Sequence, residues 1–391
     1  MSAPVVIVGS GLAGWNTARE FRRHDKDTPL VVVSRDGAGF YSKPMLSNAL
    51  AANKSAQALL MKPAEKMAAE VGATVLAQAE VATIDTAART LALADGRTQP
   101  WRDLVLALGA DPIRLPLAGT AADSVLSVND LDDYARFAAA LEGVRSVALL
   151  GGGLIGCEFA NDLLARGVRP VVLDLADRPL ARLLPEAGSA FLRARLEAAG
   201  VDFRLGVSVQ RVDAATQTDA TGRLRLTLND GSTLDADLVL SAIGLAPRTA
   251  LARAAGLAVN RGIVVDRRLA TSAPHVHAVG DCAEVDGLNL PYVMPLMAQA
   301  RALGATLAGH PTPVAYPAMP VTVKTPACPT VVCPPLSGQA ATQGVWQVTG
   351  DDAGLEAVLR DDTGRALGFA LLGQATARKQ ALAAEVSAWL G

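Results

Sequence analysis

The sequence predicts an α/β protein with two Rossmann-like dinucleotide-binding domains, and three observations predict it. A β-branched run near the N-terminus breaks into a glycine loop and then an amphipathic helix. The same pattern returns in the middle of the 391 residues. Two further segments share the order acid, buried strand, small residues, glycine.

The first run is Val5-Val6-Ile7-Val8, continuous apolar residues as expected of a parallel strand buried on both faces. Gly9-Ser10-Gly11-Leu12-Ala13-Gly14 follows, then a helix through Asn16-Thr17-Ala18-Arg19-Glu20-Phe21 and a second strand, Leu30-Val31-Val32-Val33. Glycines at this spacing allow a tight turn, close backbone approach to a pyrophosphate and close helix–strand packing. The phosphates then sit on the positive end of the helix.

The second run is Ser146-Val147-Ala148-Leu149-Leu150, leading into Gly151-Gly152-Gly153-Leu154-Ile155-Gly156 and a helix that starts Cys157-Glu158-Phe159. Its second strand ends at Asp174, at about the 20-residue spacing of an acid that accepts from a ribose 2′-hydroxyl. Such an acid repels a 2′-phosphate and favours NADH over NADPH. Two loops imply two dinucleotides held face to face, and nicotinamide plus flavin is the usual pair.

The paired segments are Asp103-Leu104-Val105-Leu106-Ala107-Leu108-Gly109-Ala110 and Ala236-Asp237-Leu238-Val239-Leu240-Ser241-Ala242-Ile243-Gly244. They suit chain crossings between the two domains, with small residues at Gly109 and Gly244 letting backbones approach. A later strand runs into Val279-Gly280-Asp281, where the acid can accept from a ribityl hydroxyl.

Composition excludes other classes. With 36 basic against 38 acidic residues, nothing argues for nucleic acid or an anionic membrane surface. Met1-Ser2-Ala3-Pro4 passes straight into the first strand without a basic, apolar leader. No apolar stretch reaches the ~18 residues of a membrane helix. Four cysteines in so long a chain make no disulfide scaffold, and a cytoplasmic location is expected. The aromatic content, 4%, is low for ligands held by aromatic walls. Glycine loops and helix ends need few of them.

Together these motifs resemble the FAD-dependent pyridine nucleotide–disulfide oxidoreductase class, and within it the rubredoxin–NAD(+) reductases. The likeness spans essentially the whole chain. It rests on Tyr41-Ser42-Lys43-Pro44-Met45-Leu46-Ser47, Gly153 to Leu163, Gly280-Asp281-Cys282-Ala283-Glu284-Val285-Asp286-Gly287, and Val321-Thr322-Val323-Lys324-Thr325-Pro326. The resemblance implies an FAD domain split into residues 1–112 and 238–315, an inserted NAD domain at 113–237, and a small α+β C-terminal domain at 316–391 that helps dock the electron acceptor. It implies that Lys43 and Glu158 approach the reactive edge of the flavin, where each charge alone would be costly and mutual pairing is expected. It places Lys324 and the backbone N–H of Val293 at the pyrimidine end, Val81 against the adenine and Pro44 beside the flavin.

Two positions depart from the pattern. Ser34 and Arg35 stand where many relatives carry an acid for the FAD ribose. Ser34 can hydrogen-bond, Arg35 can stack on or pair with the nucleotide, and Asp36 is a third candidate. Asn48 replaces the lysine that related ferredoxin reductases place after the Leu-Ser pair, which leaves the amine to Lys43.

Thiol chemistry is not expected. No cysteine pair lies near either loop, and Cys328 and Cys333, spaced C-x4-C in a proline-rich stretch, complete no iron–sulfur or zinc site. The expected function is therefore NADH oxidation by FAD, followed by two single-electron transfers to rubredoxin. Basic residues at the flavin rim would steer this acidic carrier, with Arg301, Lys324, Arg360, Arg378 and Lys379 as candidates. The rival readings are a reductase of a flavorubredoxin or ferredoxin, an NADH oxidase, and a non-catalytic NADH/FAD redox sensor.

Overall fold

The computed structural model describes residues 3–215, 223–335 and 344–390. Val5–Val8 is buried along its whole length and lies third in a five-stranded parallel sheet. The order is Val276–Ala278, Asp103–Leu106, Val5–Val8, Leu30–Val33, Thr74–Leu76. Helices Leu12–His24 and Val293–Leu307 pack on each other. A Cβ at Gly304 would come within 2.6 Å of the Glu20 backbone, so glycine permits this approach. The antiparallel strands Val81–Asp85, Thr90–Leu93 and Thr98–Pro100 add Ile84, Leu91 and Leu93 to the same core.

The second glycine loop belongs to a four-stranded parallel sheet in the order Asp202–Leu205, Arg169–Asp174, Ser146–Leu150, Leu238–Ser241. The expected boundary at residue 238 therefore needs correction. Leu238–Ser241 pairs with Ser146–Leu150 inside the second sheet and does not open the returning part of the first domain. Its all-apolar run was equally suited to either parallel sheet. The chain crosses back later, where Leu245–Pro247 pairs antiparallel with Ala110–Pro112.

The C-terminal unit is an antiparallel five-stranded sheet ordered Val321–Val323, Thr330–Cys333, Ala366–Gly373, Gly354–Arg360, Val345–Asp351, followed by helix Lys379–Glu385. Val323, Cys328, Val332, Ala370 and Leu372 share a core with Leu46, Ala49, Phe159 and Leu163. All three parts of the chain thus meet around the helix Leu154–Leu164.

Candidate active site

The two glycine loops have the same geometry. Gly9 and Gly151 adopt φ of +112° and +107°, which L side chains avoid. A Cβ there would lie 2.1 Å from the Ala107 carbonyl oxygen and 2.7 Å from that of Ala242. The small residues of the two crossings are therefore what the loops lean on. At the third glycine a Cβ would strike the loop's own first carbonyl, 1.9 Å away at Gly14 and 1.8 Å at Gly156.

The middle glycines differ in kind. A Cβ at Gly11 or Gly153 would meet nothing within 4 Å. Each is the N-cap of its helix and offers no side-chain acceptor, and neither helix has an acid in its first turn. The free N–H groups of Leu12, Ala13, Leu154 and Ile155 thus open onto space at a helix's positive end. Glycines that pack on either side of an open middle position fit two dinucleotide pyrophosphates.

Around the first cradle, the missing ribose acid is replaced by a cluster. Ser10 and Ser34 share a hydrogen bond of 2.6 Å. With Ser10 donating to Ser34, the Ser34 hydroxyl donates to Asp36 Oδ1 at 2.6 Å, Ser10 Oγ lies 3.1 Å from that oxygen, and the Ala38 N–H donates to it at 2.8 Å. Asp36 is exposed, and the side-chain bonds it makes to this cluster all fall on Oδ1. Arg35 turns instead toward Asp111, at 3.8 Å. Asp111 also takes the Arg248 guanidinium at 2.7 Å, and both arginines hold its carboxyl below the usual range. Arg248 also donates to the Leu108 carbonyl at 2.8 Å, and its N–H donates to the carbonyl of Gly109. It was not singled out from the sequence, because only the pairing of the two crossings brings it to Gly109.

Gly280 lies against Ala13, and its N–H donates at 2.6 Å to Gln299, a residue 2% exposed. Gln299 in turn donates to the Tyr316 hydroxyl at 2.8 Å. This network holds the Gly280-Asp281 turn to the helix Val293–Leu307. A glutamine in the apolar run Ala298-Gln299-Ala300 was the available signal. Val293 begins its helix half in solvent. Val81 lies near the end of Leu30–Val33, since Ala79 donates to the Ser34 carbonyl at 2.8 Å.

Lys43 and Pro44 open the 3₁₀ turn Lys43–Asn48. Burial holds the Lys43 amine below its ordinary value, with Asp281 the foremost charge pulling it back up. Lys43 and Glu158 do not pair, contrary to expectation. Glu158 is fully buried and takes the Lys324 amine, the Lys324 main-chain N–H at 2.8 Å and the Ser47 hydroxyl. The amine that meets Glu158 thus comes from the C-terminal unit, some 160 residues away in sequence and out of reach of any spacing argument.

Around the second cradle, Asp174 accepts from the Gly152 N–H and, at 2.7 Å, from the Ala176 N–H. It is partly exposed and fixed at the strand end beside the loop, as a ribose acceptor needs. Gly244, at φ +119°, accepts from the Ile113 N–H at 3.0 Å where the chain re-crosses. The four cysteines are free and buried. Burial pushes the Cys157 and Cys333 thiols up to about 12 and Cys282 up to about 11, so none is disposed to act as a thiolate.

Residues 3–304 match the family model described as pyridine nucleotide-disulphide oxidoreductase. The chain belongs to that family. Residues 313–386 match a second model, the rubredoxin binding C-terminal domain. The chain is 48% identical to the rubredoxin-NAD(+) reductase of Alcanivorax borkumensis over 385 residues, 98% of this chain and 99% of that one. It is 38% identical to the nitric oxide reductase FlRd-NAD(+) reductase of Aeromonas hydrophila, over 95% of this chain and 94% of that one. Among solved structures, the ferredoxin reductase for the CYP199A2 system of Rhodopseudomonas palustris superposes with a TM-score of 0.87 at 27% identity, covering 99% of this chain and 96% of that one. Among the described residues, no helix is long and apolar enough to cross a membrane.

Proposed function

We propose that this flavoprotein oxidises NADH with FAD and delivers the electrons singly to rubredoxin in the cytoplasm. One observation carries the reading. The segment that matches a rubredoxin binding domain contributes Lys324 to the buried Glu158 carboxylate, on the helix that follows the second cradle. In this reading, that pair links the carrier-docking unit to the site of electron entry.

In this reading Gly9–Gly14, the Ser10-Ser34-Asp36 cluster, Gly109, Val81, Pro44, Gly280, Asp281 and Val293 hold FAD. Gly151, Gly153–Gly156, Asp174 and Gly244 hold NADH. The nicotinamide domain runs between the crossings at Ala110–Pro112 and Leu245–Pro247. FAD, when bound, takes two electrons as hydride and releases them one at a time. The protein's part is to stack the two rings, to exclude water and to place cations. Lys43, whose amine burial holds below its ordinary value against the pull of Asp281, and Lys324, held by Glu158, are the two amines offered to offset negative charge on the reduced ring. No side chain is required to move a proton.

Docking would rely on fewer free charges than the sequence implied. Arg360 pairs with Glu385 at 3.0 Å and Arg378 with Glu356 at 2.6 Å. Arg301, exposed, and Lys379, which among the described residues bonds to the Thr322 hydroxyl at 3.4 Å, are the better candidates.

The test is an anaerobic NADH titration followed by a carrier panel. NADH should bleach the flavin, and rubredoxin should then reoxidise it faster than a two-iron ferredoxin does. Equal or faster ferredoxin turnover overturns the rubredoxin assignment. A flavorubredoxin belongs in the panel because of the Aeromonas likeness.

A further inference from the structure

The helix Leu154–Leu164 carries a second buried acid that the reading above does not use. Asp162 is 2% exposed and lies one helical turn beyond Glu158, on the same face. Its Oδ2 accepts from the Leu50 N–H at 2.9 Å and its Oδ1 from the Ala51 N–H at 2.8 Å. Those amides directly follow the 3₁₀ turn that carries Lys43 and Ser47. On the helix's other flank, Asn161 accepts from the Ala327 N–H at 3.0 Å, three residues past Lys324.

A carboxylate here is costly. Burial pushes Asp162 above the usual carboxylate range, with the charge of Glu158 adding to the effect and Lys324 opposing it. Its hydrogen bonds among the described residues come from neutral main-chain amides. A packing role alone would be met more cheaply by an apolar residue. What an aspartate supplies that asparagine or leucine cannot is two acceptor oxygens for two adjacent buried N–H groups.

We propose that Asp162 is a positioning residue for electron entry: by accepting both amides it locks the Lys43–Asn48 turn against the helix, and so sets where Ser47 and Lys324 hold the Glu158 carboxylate. The proposal rests on the reading that FAD occupies the first cradle. The titratable and charged groups that face Asp162 are Glu158 on its own helix, Lys324 from the C-terminal unit, and Tyr134 from helix Leu131–Ala140.

The test measures flavin reduction by NADH against pH in the holoprotein, for wild type, Asp162→Asn, Ser47→Ala and the double variant. Bleaching of the wild type tests the FAD reading by itself, and the variants, compared with it, test the positioning. Asp162→Asn keeps one acceptor oxygen, so flavin content should be retained while reduction slows about 10-fold. The acid-side inflection above the ordinary carboxylate range should disappear. Ser47→Ala should slow reduction similarly but keep that inflection, and the double variant should be no slower than the slower single one. Reduction within twofold of wild type in Asp162→Asn, with an unchanged pH profile, overturns the proposal. So do strictly multiplicative effects in the double variant. If Asp162→Asn does not fold, Asp162→Glu decides: its displaced carboxylate should slow reduction and keep the inflection, and an unaltered rate overturns the proposal.

Discussion

Replacing Lys324 with methionine keeps the length of the stem and removes the only amine bonded to Glu158 among the described residues. Glu158 is fully buried, while Lys324 has a quarter of its side chain in solvent. Stranding one partner of a buried pair costs about 3–5 kcal/mol. Here the Ser47 hydroxyl and the Lys324 main-chain N–H remain on the carboxylate. Those two donors and the partial exposure of the amine place the loss at the lower end, about 3 kcal/mol. Glu158→Gln alone strands the amine, which can reach water, and should cost less. The double variant should then recover about 2 kcal/mol of the summed losses, since contacting residues couple at this scale. The assay is a double-mutant cycle by denaturant unfolding of the holoprotein. A coupling below about 0.5 kcal/mol, the size of an exposed pair, would refute the buried-clasp argument. The same Lys324→Met variant should show a lower flavin potential and slower hydride transfer, because a cation beside the developing negative charge is gone.

Two further outcomes are expected. Gly14→Ala forces a Cβ into the Gly9 carbonyl at 1.9 Å, whereas Gly11→Ala meets only open space; the first should fail to fold or lose its thermal transition, and the second should fold with normal circular dichroism yet retain little FAD. The reverse order of effects would show that the cradle is not where the pyrophosphate lies. His277 is 8% exposed, its Nδ1 has no hydrogen-bond partner among the described residues, and burial holds its pKa below the ordinary histidine value. Between that lowered value and 6.5 the unfolded chain binds the proton more readily than the native one, so stability should fall as pH drops through this window. His277→Gln should flatten that slope in unfolding midpoints measured from neutral to mildly acid pH.

Much of the site was legible in residue order because dinucleotide binding is largely a backbone problem. Glycine at the first, middle and last positions of each loop is dictated by a positive φ, an open approach and a close carbonyl, and all three are local. Asp174 follows by spacing for the same reason. The boundary near residue 238 was harder, because Leu238–Ser241 carries the same apolar run whichever parallel sheet it joins. Ser34 and Asp36 were recognisable as candidates, but only folding shows them sharing Ser10.

Charge pairing is where residue order stopped being informative. A carboxylate in an early helical turn states that it will need a partner once buried, and says nothing of which amine arrives. The expected partner was Lys43, and Lys324 was expected at the pyrimidine end of the flavin. The C-terminal sheet, packed against Phe159 and Leu163, delivers Lys324 to Glu158 and leaves Lys43 facing Asp281. Local order therefore determined the two cradles and their cofactor class, through steric rules acting over a few residues. The tertiary structure alone decided which cation meets which buried acid, because desolvation makes that choice depend on every element sealing the site, and these elements are far apart in the chain.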